Sequence, residues 1–340
     1  MSTTATQEKA AMALAANELL RSCAQVPSGY RTPDAKPSLI QAQAYCKRLA
    51  ESHYENFHVA TWFLPKRLRP HFQSLYAYSR IADDLGDEVS DAALSIKLLD
   101  AWEVLLNECY DAPGESRHPV FIALAETVRA CAIPRKPFAD LLVAFRNDQN
   151  ITRYPTLAAF EAYACYSANP VGHLVLYACG YDDASLRVLS DKTCTALQLA
   201  NMWQDVAQDY DRGRVYLPQD AMLRHGVSET DIAARNCTPA FRAMMRELVD
   251  GTRQMLKEGD AIRNHVDAEL GVTLGLFNRG GCAILDAIEA QDYDVLARRP
   301  VVSKARKASL LLGALAGKLS AACSGKKAAQ HGVKGSGPRG

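Results

Sequence analysis

Apolar residues spaced three and four positions apart recur along most of this 340-residue chain. The stretch from Leu94 to Leu106 shows the pattern clearly, because Leu98, Leu99 and Trp102 fall on one side of a helix. Prolines between such stretches separate one helix from the next, at Pro65, Pro134, Pro155 and Pro218. No run of alternating β-branched residues indicates a sheet. The sequence therefore predicts an all-α fold.

Start signals place several of the predicted helices. Ser38 precedes a helix from Leu39, and Ser228 is followed by an acidic residue three positions later. Thr238-Pro239 opens a helical stretch that we expect to run to about His265.

Composition narrows the class of protein. The chain is 48% hydrophobic and 23% charged with a formal net charge of +1, which excludes disordered, collagenous and coiled-coil proteins. Its ten cysteines show no CxxC spacing and no secretory signal precedes them, so we expect reduced thiols and a cytoplasmic location. Residues 162–181 lack charged side chains, but Asn169-Pro170 interrupts them, which favours a buried helix with a break over a membrane span.

Charge separates the end of the chain from its body. Ten of the 39 Lys and Arg residues, and none of the 38 Asp and Glu residues, lie in residues 298–340. We expect a domain of residues 1–297, then a basic segment with a helix at about 303–322 and disorder from about 324. Two interpretations stay open: peripheral binding to an anionic membrane, and a solubilising tail. Nucleic acid is not expected as a partner, because the segment has no aromatic residue for stacking.

Two helices carry acidic side chains at the same spacing. Asp83 and Asp87 share a helix face with Arg80 and Asp84 beside them. Asp205 and Asp209 repeat the spacing, and Gln198 and Asn201 extend that second stripe. Each stripe alone is typical of a solvated helix face. No Lys or Arg interrupts the second one, however, and the same spacing occurs twice.

These oxygen-bearing side chains suit a hard divalent cation. If the two helices face each other, four carboxylates approach one cavity and need cations for neutralisation. Mg²⁺ prefers carboxylates together with substrate phosphates, which predicts a magnesium site that handles a diphosphate. A di-iron site is the competing interpretation, but it needs Glu-x-x-His motifs on the paired acidic helices. Neither acidic stripe, 73–88 or 198–210, contains a histidine.

The segments 76–88 and 201–218 resemble the two aspartate-rich motifs of the squalene/phytoene synthase family. The resemblance extends from about Ser38 to Arg298. It implies a single-domain isoprenoid synthase fold, a helical bundle around a central cavity, with residues 1–35 as a peripheral segment. It also implies Mg²⁺ as the cofactor and prenyl diphosphates as substrates.

The same resemblance implies roles for individual residues. The catalytic residues would be Arg80, Asp83, Asp87, Asp205 and Asp209. The metal ligands would be Asp83, Asp84, Asp87, Asn201, Asp205 and Asp209, and Arg80, Asn201, Arg212 and Lys66 would contact phosphate or metal. Further substrate contacts would come from His53, Tyr54, Asn56, Phe57, Tyr76, Tyr163, Tyr166, Asn169, Gln198 and Gln204. Plain core packing stays the alternative for each aromatic, and the residue that positions water is left open among His53, Asn56, Asn169 and Gln204.

Three segments, 52–57, 167–172 and 203–206, resemble the hydroxysqualene synthases of bacterial hopanoid pathways. Condensing members of the family usually carry Arg where this chain has Gln204, and small hydroxyl residues near Tyr54 and Asn56. The implied reaction converts presqualene diphosphate and water into hydroxysqualene and pyrophosphate, with a pathway partner supplying the substrate. Head-to-head squalene or phytoene synthesis is one alternative, and a non-catalytic scaffold is another. No nicotinamide cofactor is expected, because no GxGxxG motif follows a strand.

Overall fold

The computed structural model describes residues 3–52 and 65–331, and it confirms the all-α prediction. These ranges contain fourteen α-helices, with 3₁₀ turns at Ser28–Tyr30, Lys66–Leu68 and Asp260–Asn264. The helices are α1 (Thr3–Ser22), α2 (Leu39–Ser52), α3 (Arg69–Asp87), α4 (Ala92–Asp111), α5 (Pro119–Cys131), α6 (Lys136–Asn147), α7 (Leu157–Ser167), α8 (Asn169–Ala178), α9 (Ala184–Asp211), α10 (Gln219–His225), α11 (Glu229–Ala233), α12 (Pro239–Gly259), α13 (Ala268–Glu289) and α14 (Lys304–His331). His53, Tyr54, Asn56 and Phe57 lie outside the described residues.

Local sequence signals account for the helix boundaries. The Ser38 hydroxyl accepts a hydrogen bond from the Gln41 amide at 3.3 Å, as expected of the residue that opens α2. Ser228 and Asp231 form a reciprocal capping box at the start of α11. Residues 162–181 form no continuous helix, because α7 ends before Ala168 and Pro170 lies in the first turn of α8. The predicted break is confirmed.

Two large hydrophobic clusters form most of the core, and each holds one of the acidic helices. The first cluster gathers α1 to α6 and part of α8, and it buries the apolar side of α3. The second gathers α7 and α9 to α13, and it buries the apolar side of α9. Trp203 on that side donates a hydrogen bond to the Thr252 hydroxyl of α12 at 2.8 Å. The polar sides of α3 and α9 are therefore not used for core packing and remain available for a functional site.

Small residues let neighbouring helices approach α9 closely. A Cβ atom built on Gly259 of α12 would lie 2.2 Å from Oγ1 of Thr193 and 2.8 Å from its backbone nitrogen. A Cβ on Gly172 of α8 would lie 2.2 Å from the Ser190 hydroxyl oxygen. These contacts fix α9 on two sides, and with it the second acidic stripe.

The N-terminal segment is more than the peripheral element we expected. Helix α1 packs on α4, and Leu20 and Val26 are fully buried in the first core cluster. The following 3₁₀ turn brings the Tyr30 hydroxyl to Asp84, to which it donates a hydrogen bond at 2.5 Å. An apolar stripe on α1 explains its docking, and the Tyr30 hydrogen bond connects this N-terminal segment to the first aspartate motif.

The C-terminal helix packs antiparallel to α13. Arg306 lies 3.6 Å from Asp286, Lys318 lies 3.1 Å from Glu269, and Ala314 between them is buried. The helix continues to His331, where we expected disorder from about residue 324. Within the described ranges, no helix is both long enough and apolar enough to cross a membrane.

Candidate active site

Helix α3 presents Arg80 between two carboxylates. Its Nε atom donates to Oδ2 of Asp84 at 3.0 Å, its NH2 group donates to Oδ1, and NH1 lies 3.7 Å from Asp83. The Asp84 side chain is only 6% exposed and also accepts the Tyr30 hydrogen bond. Arg80 is therefore held by a buried carboxylate, and Asp83, 45% exposed, faces outward beside it.

A cavity of about 230 Å³ runs along this face of α3. Its wall on α3 follows helical spacing from Phe72 and Leu75 through Tyr76 and Ser79 to Arg80 and Asp83. The helix rises by eleven steps from Phe72 to Asp83, which is roughly 16 Å. The opposite wall is mostly apolar and comprises Leu141, Phe145, Ser167, Val171, Leu174 and Val175. The cavity thus has one charged end and one apolar end.

Helix α9 places Asp205 and Asp209 on its polar side. Burial raises the pKa of Asp209 to about 6, and the negative charge of Asp205 raises it as well. Arg212, Arg214 and Arg299 act in the opposite direction. Three arginines therefore surround the second motif, although none occurs between Gln198 and Tyr210.

Arg214 connects the two acidic motifs. Its guanidinium donates a hydrogen bond to Oδ1 of Asp87 at 3.0 Å, although the chain positions are 127 residues apart. Burial raises the pKa of Tyr216, and the charges of Asp148, Asp209 and Asp87 raise it further. Carboxylates from both motifs thus lie around one tyrosine and one arginine, and the two stripes meet on the same side of the molecule.

Two docked loops hold Arg214 in place. The Val215 amide donates to the Thr152 carbonyl at 2.8 Å, and the Arg153 guanidinium donates to both carboxylate oxygens of Glu229. Gly213, with φ of +79°, makes the turn between α9 and this contact. The loop after α6 and the loop after α9 therefore form one unit beside the motifs.

Asp148 belongs to this unit, although the sequence assigned it no role. Tyr163 donates a hydrogen bond to its Oδ2 at 2.9 Å, and its buried Oδ1 has no hydrogen-bond partner among the described residues. Burial, together with a smaller effect of the nearby Asp87, raises the pKa of Asp148 to about 6, although the Tyr163 hydrogen bond and the charge of Arg214 act in the opposite direction. Tyr163 therefore contacts an acidic group of the site and is not simply packed in the core.

The carboxylates bind arginines rather than forming a closed cage. Across residues 3–52 and 65–331, no three Asp, Glu, His or Cys side chains stand close enough together to hold a metal ion. Asp83 pairs with Arg80, Asp87 with Arg214, and Asp205 with Arg299. The donor set itself consists of carboxylate oxygens, which are the ligands that Mg²⁺ prefers. The chemistry of these residues therefore fits the predicted cation. Each arginine balances the negative charge of a motif carboxylate that would otherwise need a cation.

The other predicted residues divide into three groups. Tyr76 lines the cavity, and Gln198 accepts a hydrogen bond at 3.0 Å from Ser167, which also lines it. Asn169 and Gln204 are buried in hydrogen bonds with other protein groups. The third group is exposed to solvent and comprises Tyr166, Asn201, Arg212 and Lys66. Arg212 caps the C-terminal end of α9.

Sequence reasoning missed three residues of the site. Arg214 lies two positions after Arg212 in the second motif, so a search for every cation near the motif would have found it. Asp148 is recognisable only as an acidic residue at the end of an apolar helix. Arg299 lies 94 residues from its partner Asp205, inside the segment we assigned to the basic tail, and no local signal connects the two.

An all-α fold in which Arg214 links two aspartate motifs is typical of the isoprenoid synthase class. Residues 50–306 match the sequence profile described as "Squalene/phytoene synthase". The chain belongs to the squalene/phytoene synthase family, whose members process prenyl diphosphates.

Individual relatives agree with this assignment. The crystal structure of squalene synthase HpnC from Alicyclobacillus acidocaldarius is 41% identical, covers 75% of this chain and 95% of that chain, and has a TM-score of 0.71. A dehydrosqualene synthase in complex with ligand is 26% identical, covers 82% and 96%, and has a TM-score of 0.74. Phytoene synthase 1, chloroplastic, from Arabidopsis thaliana is 28% identical over 295 residues, which is 84% of this chain and 68% of the relative.

Proposed function

We propose that this protein is a hydroxysqualene synthase that acts on presqualene diphosphate. The observation that carries the proposal is the cavity along α3, which is apolar from Phe72 and charged at Arg80 and Asp83. A substrate with one diphosphate and a long hydrocarbon would place its head at the charged end and its chain at the apolar end. Residues 52–57, 167–172 and 203–206 support this substrate through their resemblance to hydroxysqualene synthases.

We propose Asp83, Asp87, Asp205 and Asp209 as ligands of Mg²⁺, with Asn201 on the same face of α9. When bound, Mg²⁺ supplies Lewis-acid stabilisation of the negative charge that develops on the departing pyrophosphate. We give Asp84 a different role from the one first expected, because Arg80 and Tyr30 occupy its buried carboxylate. It would hold Arg80 in position.

The chain's own residues would supply the rest of the reaction. Arg80, fixed by Asp84, stabilises charge on the leaving group, and the apolar walls keep bulk water from the carbocation. The ring of Tyr76 offers a face that stabilises a desolvated cation by up to about 2 kcal/mol. The carbon–oxygen bond to the diphosphate breaks, the cation rearranges, and one water adds and loses its proton. The products are hydroxysqualene and pyrophosphate.

Head-to-head condensation to squalene or phytoene is the second candidate, and one observation favours it. Gln204 lacks the cationic group of condensing enzymes, but Arg299 brings a guanidinium to the same place beside Asp205. The phytoene synthases among the relatives agree with this alternative. A non-catalytic scaffold is disfavoured, because all four motif aspartates are retained.

A labelled-water assay distinguishes these functions. Purified protein is incubated with presqualene diphosphate and MgCl₂ in heavy-oxygen water, and the lipid product is identified by mass. We expect hydroxysqualene that carries the heavy oxygen, because the hydroxyl comes from water. Parallel incubations use farnesyl or geranylgeranyl diphosphate, with and without a nicotinamide donor. Efficient squalene or phytoene formation from these substrates would replace the first proposal with the second.

Substitution of the motif acids tests the assignment of the site. Asp83→Asn and Asp205→Asn each remove one negative oxygen ligand, and we expect turnover to fall by roughly a hundredfold or more. Asp250→Asn, an exposed position on α12, serves as the control and should keep full activity. Circular dichroism should show the same helix content in all three variants. Retained turnover in the first two would refute the proposed metal site.

We also propose a cytoplasmic protein that binds an anionic membrane through α14, where a pathway partner could deliver the substrate. Helix α14 buries Ala314 against α13, but Leu312 is 66% exposed. Lys304 and Lys307 are exposed in its first turn. Apolar and basic side chains together suit a helix at the headgroup level of an anionic leaflet.

A further inference from the structure

Gln204 holds a distant segment of chain against the second motif. The side chain is 5% exposed, and its Nε2 donates to the Pro300 carbonyl at 2.5 Å. Its Oε1 accepts a hydrogen bond from NH2 of Arg299 at 2.9 Å. One amide therefore fixes two consecutive residues of the connector, which we define as residues 298–303, immediately before α14.

The connector places Arg299 on a carboxylate assigned to cation binding. Nε of Arg299 donates to Oδ1 of Asp205, and NH2 donates to Oδ2 at 3.1 Å. This bidentate contact uses both oxygens of Asp205. A divalent cation that binds Asp205 would meet the positive guanidinium at the same oxygens, and like charges repel.

The exposure of the side chains indicates whether Arg80 or Arg299 can release its carboxylate partner. Arg80 is 22% exposed and pairs with Asp84, which is 6% exposed, so that pair cannot separate without leaving a buried charge. Arg299 and Asp205 are 38% and 24% exposed, so the guanidinium can turn into water at small cost. Of these two pairs, only the second is exchangeable.

We propose that Gln204 is a positioning residue that anchors the connector so that Arg299 and a divalent cation compete for Asp205. This inference rests on the proposed cation site. Cation binding displaces Arg299 and loosens the connector. Helix α14 stays docked on α13, because its contacts through Arg306 and Lys318 do not involve the site. The loosening is therefore confined to the connector.

Hydrogen exchange on the full-length protein tests the displacement. Protein stripped of divalent ions is compared with the same protein in MnCl₂. The MnCl₂ concentration is chosen so that the electron paramagnetic resonance signal of Mn²⁺ shows that the ion is bound. We expect faster exchange in peptides that cover residues 298–303 and no change in peptides from α14. Unchanged or slower exchange of the connector with Mn²⁺ bound would overturn the proposal.

Variants provide the second test, with Mn²⁺ alone as the probe. Arg299→Gln removes the competitor, so we expect Mn²⁺ to bind roughly twofold to fivefold more tightly. The connector of this variant should exchange rapidly with or without Mn²⁺. Arg298→Gln is the matched control, because Arg298 is exposed and its Nε donates to Gln291 at 2.6 Å, away from Asp205. Equal Mn²⁺ affinity in both variants, or weaker binding by Arg299→Gln, would contradict competition.

Gln204→Leu and Gln204→Glu test the anchor itself. Leucine removes both hydrogen bonds, so the connector should exchange faster and Mn²⁺ should bind more tightly, as in Arg299→Gln. Glutamate keeps an acceptor for Arg299 and should restore part of the protection. A purely structural role for Gln204 would lower the melting temperature while leaving Mn²⁺ affinity unchanged. That result would overturn the proposal, and Arg299→Gln decides the matter if Gln204→Leu does not fold.

These measurements are independent of the lipid product. If Mn²⁺ displaces Arg299 but presqualene diphosphate is not converted, the competition at Asp205 is supported and the proposed substrate is refuted. If hydroxysqualene forms but Arg299→Gln leaves Mn²⁺ binding unaltered, the proposed function is supported and the competition between Arg299 and the cation is refuted.

Discussion

Arg214 is the residue that links the two aspartate motifs. Its guanidinium contacts Asp87 of the first motif, and its charge also lowers the pKa of Asp209 in the second. Arg212, which the sequence favoured, is exposed at the end of α9. The sequence alone could not choose between them, because only the turn at Gly213 determines which arginine points inward.

This difference gives a paired prediction. Arg214→Gln should lower kcat/KM by roughly tenfold to a hundredfold, because the two motifs lose the guanidinium that links them and with it their alignment. Arg212→Gln should lower it by a smaller factor. Steady-state kinetics of both variants under identical Mg²⁺ concentrations provides the comparison. A larger loss in Arg212→Gln would show that the exposed arginine contacts the substrate and that Arg214 is structural.

His118 makes stability depend on pH. The ring is 1% exposed at the start of α5, where Nδ1 accepts from the Val120 amide at 3.2 Å and Nε2 donates to the Tyr30 carbonyl at 3.0 Å. Acceptance at Nδ1 requires the neutral ring, with its proton on Nε2. Burial lowers the pKa of His118 to about 4, below the value of about 6.5 for an unfolded chain. Between these values the unfolded chain binds more protons than the folded protein.

The free energy of unfolding should therefore fall as pH falls from about 6.5 to about 4, with about 3 kcal/mol from this residue. His118→Asn keeps a capping side chain but does not titrate, so its decrease over the same range should be shallower. Urea unfolding at a series of pH values measures both. Parallel curves for the two proteins would mean that His118 does not contribute.

At the scale of helices, close approach to α9 explains why small residues occur on its neighbours. Gly259→Ala should destabilise the protein by roughly 1–3 kcal/mol, because the new methyl group would meet the backbone nitrogen of Thr193. Gly251 lies on the same helix with nothing within 4 Å of its Cβ position. Gly251→Ala should stabilise by roughly 0.5–1 kcal/mol. Thermal unfolding of both variants is the test, and a stabilised Gly259→Ala would show that α12 shifts freely.

Helices were the part of the fold that the sequence revealed well. Capping residues and prolines are local signals, so Ser38, Ser228 and Thr238 each mark a helix start that the structure contains. The stretch that we expected to continue to about His265 ends as an α-helix at Gly259 and continues as a 3₁₀ turn to Asn264. Crossing contacts such as Gly259 with Thr193 depend on residues far apart in sequence, and no local signal reports them.

For the whole molecule, the important correction concerns the boundary before the basic segment. We placed it after residue 297, because the charge changes there. The structure instead brings Arg299 and Pro300 to Gln204 and Asp205, and packs α14 on α13. The composition changes at residue 298, but the contacts of the folded domain continue beyond it.

Two truncations test this boundary. A chain ending at residue 303 keeps the connector, so it should lose binding to anionic vesicles more than turnover of detergent-dispersed substrate. A chain ending at residue 297 also loses the Pro300 carbonyl, which holds the buried Gln204 beside Asp205. Both vesicle binding and turnover should therefore fall, although the loss of Arg299 removes a competitor of the cation. Vesicle sedimentation and product formation measure the two properties. Equal turnover by the two truncated chains would place the connector outside the active site.

The sequence by itself determined the class of fold, the helix boundaries and the two acidic stripes, because each depends on neighbours within a few residues. Only the tertiary structure decided that Arg214 joins the stripes, that Asp84 faces inward and that Arg299 reaches Asp205. Charge pairing over such separations depends on how helices cross, and helix crossing is fixed by packing throughout the core. Local spacing indicates which groups a helix presents, whereas packing selects the partners those groups bind.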